Sequence, residues 1–298
     1  MSATTVDRQG YWRSFALPGV GWLLLFVVVP AYAVLAIAMG HVDLLLQPVP
    51  AWNPATWNPG YLSKAFSGSL PGGEYWPAVR NTLVYVGVSL GLCFAIGYPV
   101  AYYVARHAKR SKGLLIILLV IPFWVSYLLR MLAWIGLLSP DGYVNQIIQW
   151  FGISNPPDWL NGNAYSVIMA LVYGYIPYFI LPVFAGLDRI DRSQIEAARD
   201  LGATPFQAFR KVTLPLSRPS ILAGCALVAL PMFGDYYTND LISASPHTNM
   251  LGNEINLFVQ GGSQKNLGAS LVIVLMAILA VGMAYYLYAT ARDAKRLA

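Results

Sequence analysis

Six long apolar runs organise the chain, each close to the roughly 20 residues needed to cross about 30 Å of hydrocarbon. They cover residues 15–39, 81–105, 113–138, 166–187, 219–237 and 267–291, with Arg130 interrupting the third and Asp235 the fifth. The first run is too long and too uniformly apolar for a secretory leader, so it reads as a retained helix. Between the runs the pattern changes. Residues 40–78 mix Pro48, Pro50, Pro54 and Pro59 with Trp52, Trp57 and Trp76, which predicts irregular structure with aromatics at a membrane interface. Residues 139–165 and 238–266 lie on the same side, and neither reads as a separate domain. The prediction is an all-α integral membrane protein, one domain over residues 1–298, with six transmembrane helices.

Composition agrees with the pattern: 57% of the 298 residues are hydrophobic and 11% charged, against about 25% charged in an average soluble domain. Basic residues concentrate in cytoplasmic loops of membrane proteins. An amino terminus placed inside puts Arg8, Arg106, Lys109, Arg110, Arg199, Arg210, Lys211 and Arg292 on the cytoplasmic side with most other cations. Both termini and residues 188–218 are then cytoplasmic. The net charge of +6 follows from this topology and requires no nucleic acid. Cys93 and Cys225 fall inside predicted spans and read as small apolar residues. His41, His107 and His247 are scattered over separate loops, which argues against a metal site. No HExxH, GxSxG or P-loop pattern occurs, so neither catalysis nor ATP binding is expected of this chain.

One cytoplasmic stretch, "IEAARDLGATPFQAFRKVTLPLSRPS" (residues 195–220), is more polar than its surroundings. Ser193 followed three residues later by Glu196 predicts a capping box at a helix start. Gly202 suits the left-handed turn that ends a helix. Thr204, Pro205 and Gln207 then predict a second, short helix ending near Val212. These helices would turn Ile195, Ala198, Leu201, Phe206 and Phe209 outward. Such a face either inserts into a groove on another protein or packs back on the chain's own helix ends. The local pattern leaves both open.

Glu196, Ala197 and Ala198, then Gly202, then Val212, Leu214 and Pro215 resemble the EAA loop of ABC importer permeases: EAA, three residues, G, nine residues, I-x-LP. Valine replaces isoleucine at 212. The resemblance implies a type I ABC importer permease fold. It also implies that Glu196, Ala197, Ala198, Gly202, Ala203, Thr204, Pro205, Phe206 and Phe209 contact a separate ATPase dimer. No cofactor is expected in this chain, ATP and Mg being bound by that partner. The other implied partners are a second permease subunit, expected to be related and non-identical, and an extracytoplasmic substrate-binding protein. "IPFWVSYLLRMLAWIGLL" (residues 121–138), "YGYIPYFILPVFAGL" before the loop and "FGDYYTNDLI" after it are similar to the spermidine/putrescine branch. That branch implies polyamine import across a bacterial inner membrane. The competing cargoes are a sugar, an anion or a ferric ion, and a secondary transporter is the reading from a different class.

Charges inside apolar runs point to function or to a partner. Straight helices at about 1.5 Å per residue would set Arg130 roughly 26 Å above Gly113 and Asp235 roughly 26 Å above Arg218. Both would then lie near the outer boundary. They could neutralise each other or pair with a sister subunit. Alternatively, Asp235 and Asp240 could meet ammonium groups of the cargo, with Tyr236, Tyr237, Trp124 or Tyr178 offering aromatic faces. An Arg130 in the same layer would repel a cation. Acids outnumber bases on the predicted outer surface, which favours a cationic cargo.

Overall fold

The computed structural model describes residues 8–44, 47–108, 110–261 and 264–297. Lys109, assigned above to the cytoplasmic side, and Gly262 and Ser263 of the last outer segment lie outside the described residues. Two compact units make up the chain, residues 1–70 with 255–274, and residues 71–254 with 275–298.

In the first unit, α1 (Arg8–Ala38) carries the first apolar run, with Pro18 and Pro30 inside the helix. Its apolar side chains from Phe15 to Val29 are largely exposed within the chain, as a lipid-facing or partner-facing helix would leave them. The following segment is more regular than its prolines suggested. Strand β1 (His41–Val42) pairs antiparallel with β2 (Pro48–Val49), His41 opposite Val49, and α2 spans Gly60–Gly68. The segment folds back on the end of α1, the Ala51 amide donating to the Ala36 carbonyl at 2.8 Å and the Asn58 amide to the Met39 carbonyl at 2.8 Å. Asn266, in the first turn of the last helix, donates from Nδ2 to the Ile37 carbonyl at 2.7 Å.

In the second unit, α3 (Trp76–Arg106) packs along the later helix that carries the fourth run. The third run does not form one straight helix. Helix α4 (Lys112–Val120) passes into a 3₁₀ turn over Ile121–Trp124, extended residues follow at Val125 and Ser126, and α5 spans Tyr127–Leu138. The two parts are bent by 92°. Pro122 has no amide to continue the ladder, and its ring disfavours a helical residue before it. The straight-helix height of Arg130 above Gly113 therefore fails. A further helix, α6 (Tyr143–Trp150), lies in the segment expected to be a loop.

Helix α7 (Ala164–Arg189) carries the fourth run. The polar segment forms α8 (Arg192–Asp200), α9 (Pro205–Ala208), a π turn over Phe209–Thr213 and α10 (Leu214–Leu216). Its second helix thus continues past Val212, and helix α11 (Arg218–Phe233) follows at a 60° bend. Helix α11 stops four residues before the predicted end of the fifth span, with Pro231 in its last turns and Gly234 after it. Asp235 therefore sits beyond the helix end, in a break before α12 (Tyr237–Ile242). The helical height given it above is corrected in the same way. Helices α13 (Leu251–Gln260) and α14 (Lys265–Leu297) complete the chain.

The core of this unit lies where α3, α7 and α11 meet, around Cys93, Val167, Phe179, Val183, Val228 and Met232, all 0% exposed. Among the described residues four helices are long and apolar enough to cross a membrane, and six spans result if each bent pair counts as one.

Candidate functional site: a coupling segment and a buried carboxylate

The polar segment is built by local capping. Asp191, not Ser193, starts α8, its Oδ1 accepting from the Ser193 amide at 3.1 Å. That bond to the backbone N–H holds the Asp191 carboxyl below its ordinary range. The Ser193–Glu196 box is thereby replaced by an acid two residues earlier, which also complements the positive end of the helix dipole. Gly202 ends α8 at φ +86°, the left-handed conformation that its lack of Cβ allows. The second cap is as expected: Gln207 donates its amide to Thr204 Oγ1 at 3.3 Å, and Thr204 donates its amide to Gln207 Oε1 at 3.0 Å.

Two apolar side chains of the segment face outward, Leu201 at 90% and Phe206 at 69% exposure. Between the two helices lies an open cleft of about 510 Å³ lined by Glu196, Arg199, Asp200, Gly202, Ala203, Thr204 and Pro205. Ala197 is exposed, whereas Ile195 and Ala198 are partly covered. Phe209 differs from its expected orientation. Its ring turns inward, edge-on to Tyr98 at 6.0 Å and Tyr102 at 5.5 Å on α3. The next turn is fixed to the same helix by Tyr98, whose hydroxyl is hydrogen-bonded to Ser217 Oγ at 3.0 Å. The segment thus presents an apolar ridge outward and is bolted to the spans on its other side.

The second site surrounds Asp235, which is only 6% exposed. Oδ2 accepts from the Tyr175 hydroxyl at 2.9 Å, from the Thr238 hydroxyl at 2.7 Å and from the Tyr127 hydroxyl at 3.2 Å. Oδ1 accepts the Thr238 amide at 2.9 Å, so the carboxylate also caps the start of α12. The Tyr127 hydroxyl also lies within hydrogen-bond reach of the Thr238 hydroxyl, so its one proton serves either Thr238 or Oδ2. Side chains from α5, α7 and α12 converge on one acid. Such convergence is what a buried carboxylate needs, because an unpaired charge in a low-dielectric interior is costly. Gly174 on α7 makes room for it: a Cβ there would lie 2.6 Å from Tyr127 Cε2.

Of the residues expected along a substrate path, the structure brings Arg130 near Asp235 without pairing them. The Arg130 guanidinium stacks 5.3 Å from the centre of the Tyr127 ring, and its Nε is buried without a hydrogen-bond partner. Tyr178 stands next to Tyr175, at 6.2 Å between ring centres, and packs on Phe123. Tyr236 and Tyr237 stack on each other at 4.1 Å. Asp240 instead accepts from Asn253 Nδ2 at 2.7 Å. Trp124 is 87% exposed at the break in the third run and does not join the cluster. Tyr127, Tyr175 and Thr238 were missed. The signals were present in "DYYT", an acid three residues before a threonine, and in Tyr175, one helical turn before Tyr178.

Residues 87–294 match the family described as binding-protein-dependent transport system inner membrane component. The chain belongs to that family. It is a multi-pass inner-membrane permease of the ABC importer class. Similar relatives include the spermidine/putrescine transport system permease protein PotB of Escherichia coli strain K12, 28% identical over 90% of this chain and 93% of the relative. PotB of Haemophilus influenzae is 34% identical over 78% of each. The inner membrane ABC transporter permease protein YdcU of Escherichia coli strain K12 is 30% identical over 69% of this permease and 68% of the relative. Among solved structures, a bacterial ABC transporter that imports the acidic polysaccharide alginate matches with TM-score 0.68 and 18% identity, over 97% of this permease and 96% of that chain. The MetNI methionine ABC transporter matches with TM-score 0.56 and 20% identity, over 75% and 99%. The type I importer permease fold follows from these likenesses.

Proposed function

We propose that this permease forms half of a polyamine translocation path and is driven through residues 191–209 by a separate ATPase dimer, which binds the ATP and Mg. Its other partners are a related second permease chain and an extracytoplasmic binding protein. The coverage of 90% by relatives named for spermidine and putrescine supports the cargo. One of the similar solved structures is of a transporter in complex with a periplasmic protein, which supports the outer partner.

The geometric observation that carries the reading is the Asp235 cluster. A carboxylate among tyrosine rings and hydroxyls matches the chemistry of an alkylammonium, which takes a counter-charge, hydrogen-bond acceptors and aromatic faces. Three hydroxyls already occupy Oδ2, so an ammonium reaches it by displacing one of them. That displacement ties cargo passage to movement of α5, α7 or α12. On the cytoplasmic side, the outward ridge of Leu201 and Phe206 has the form of a short helix that docks in a groove.

A second reading is favoured by one observation: Arg130 lies against the same tyrosine that binds Asp235. In it, Asp235 is an internal strut and cargo contacts lie elsewhere. Uptake of labelled spermidine by the assembled transporter, with putrescine and unrelated solutes as competitors, tests the cargo. Competition by polyamines alone is expected, and its absence overturns the assignment. Asp235→Asn in the same assay separates the two roles. A raised KM with intact assembly supports cargo contact, and unchanged kinetics supports the strut.

A further inference from the structure

In the second unit the tight helix packing joins α3, α7 and α11. Between α11 and the last part of α14 lies instead an apolar cavity of about 330 Å³. Small residues of α11, Cys225, Ala226 and Ala229, form one wall, and Gly282 and Met283 of α14 form the other. It extends along α11 from Leu222 to Phe233, about 16 Å at the helical rise. At its Leu222 and Tyr285 end it adjoins a second cavity of about 520 Å³, which shares those two residues and is lined also by Arg218, Tyr288 and Arg292. Among the described residues no carboxylate lines either cavity. Both arginines are exposed, at the end of the spans that carries the EAA segment.

We infer that this groove binds one anionic phospholipid, an acyl chain lying in the cavity of small residues and the phosphate between Arg218 and Arg292. The occupant follows from the sequence of environments along the groove. An apolar slot between apolar helices takes a hydrocarbon chain, and two guanidiniums at its mouth, with no carboxylate among the described lining residues, take a phosphate. Tyr285 and Tyr288 sit at the level between them, where amphipathic rings meet headgroups. A zwitterionic lipid would fill the slot equally well but would gain little at the mouth. The position gives the lipid a role. Arg218 is the first residue of α11, directly after the bend that leads from the coupling segment, so a bound phosphate holds the end of that helix against α14.

The test uses the full-length chain in mild detergent, exposed to equal amounts of phosphatidylglycerol and phosphatidylethanolamine, with retained lipid read by native mass spectrometry. Each arginine near an anionic headgroup is worth about five-fold in affinity, so the pair predicts a preference of about twenty-five-fold for phosphatidylglycerol. R218Q with R292Q should bring the ratio close to one, and R218K with R292K should keep it. Filling the slot with G282F, where a Cβ meets nothing within 4 Å, should remove one retained lipid while the chain stays folded. No preference in the wild type, a preference unaltered by the glutamine pair, or undiminished lipid in G282F overturns the inference. So does efficient crosslinking of G282C to a second permease in native membranes, which would show a protein helix in the groove.

Discussion

Gly174→Ala tests the Asp235 cluster without removing any of its polar atoms. The added Cβ would stand 2.6 Å from Tyr127 Cε2 and 3.1 Å from its hydroxyl oxygen. Carbon contacts settle near 3.5 to 4 Å, so the tyrosine ring must retreat by about 1 Å. Its bond to Asp235 is already 3.2 Å long and does not survive that movement. Overpacking costs about 1–3 kcal/mol, and a lost hydrogen bond to a charged group about 1.5–3 kcal/mol. The two partly overlap, because the retreat relieves the clash, and a net loss of roughly 3 kcal/mol is expected. The assay is a double-mutant cycle in reversible detergent unfolding, pairing Gly174→Ala with Tyr127→Ala. With the ring absent the methyl has nothing to strike, so the alanine at 174 should be nearly neutral in that background. A coupling of about 2 kcal/mol or more follows. Additive losses would refute the steric reasoning and with it the role of Gly174 in placing Tyr127.

On the coupling segment, Phe206→Ala should leave folding unchanged within about 0.5 kcal/mol, as for other exposed positions, while weakening retention of the ATPase in affinity purification. Phe209→Ala should do the reverse first, lowering stability by about 2–3 kcal/mol through the loss of its packing on Tyr98 and Tyr102; equal effects of the two in both assays would contradict their opposite orientations. Gly202→Asp forces a side chain into φ +86°, at a cost of about 1–2 kcal/mol, and should release the ATPase from a chain that still reaches the membrane; full retention would remove this turn from the interface. Asp191 has a lowered carboxyl pKa, so its contribution to the start of α8 is complete above the ordinary carboxylate range and lost as pH falls through the lowered value. Amide exchange at Ser193 and Gln194 should therefore lose protection on acidification below about pH 4, and Asp191→Ala should flatten that response.

The apolar runs made the spans legible because length and lack of charge are one-dimensional properties. The breaks were less so. Pro122 and Pro231 were visible, but proline in a membrane helix can kink it or end it, and neighbouring helices decide which. The EAA segment was readable down to Gly202 and the Thr204 cap because capping is local chemistry. Its first cap was misplaced by two residues, since Asp191 and Ser193 are both good caps and only the backbone conformation chooses between them. Asp235 was marked by its charge, whereas its partners on α5 and α7 lie 108 and 60 residues away. Nothing in a single sequence records such a meeting. Arg130 was expected to pair with the acid or with a sister chain; within this chain it meets the acid's ring-bearing partner and forms no ion pair with Asp235.

The right-angled interruption between α4 and α5 also acts as a compass. Val125 and Ser126 are extended and exposed there; the Val125 amide still donates to the Pro122 carbonyl and the Ser126 carbonyl accepts from the Arg130 amide, but the peptide joining the two residues belongs to neither helical ladder. Lipid tails offer no donors or acceptors, and backbone at that depth persists only against protein or water. If the break lies within the hydrocarbon region, as one interrupted span or a re-entrant loop would put it, this flank of the permease faces protein or water. In the arrangement proposed above, with a second permease chain enclosing the path, Trp124 at 87% exposure is the side chain on this flank to carry a crosslinker toward that chain.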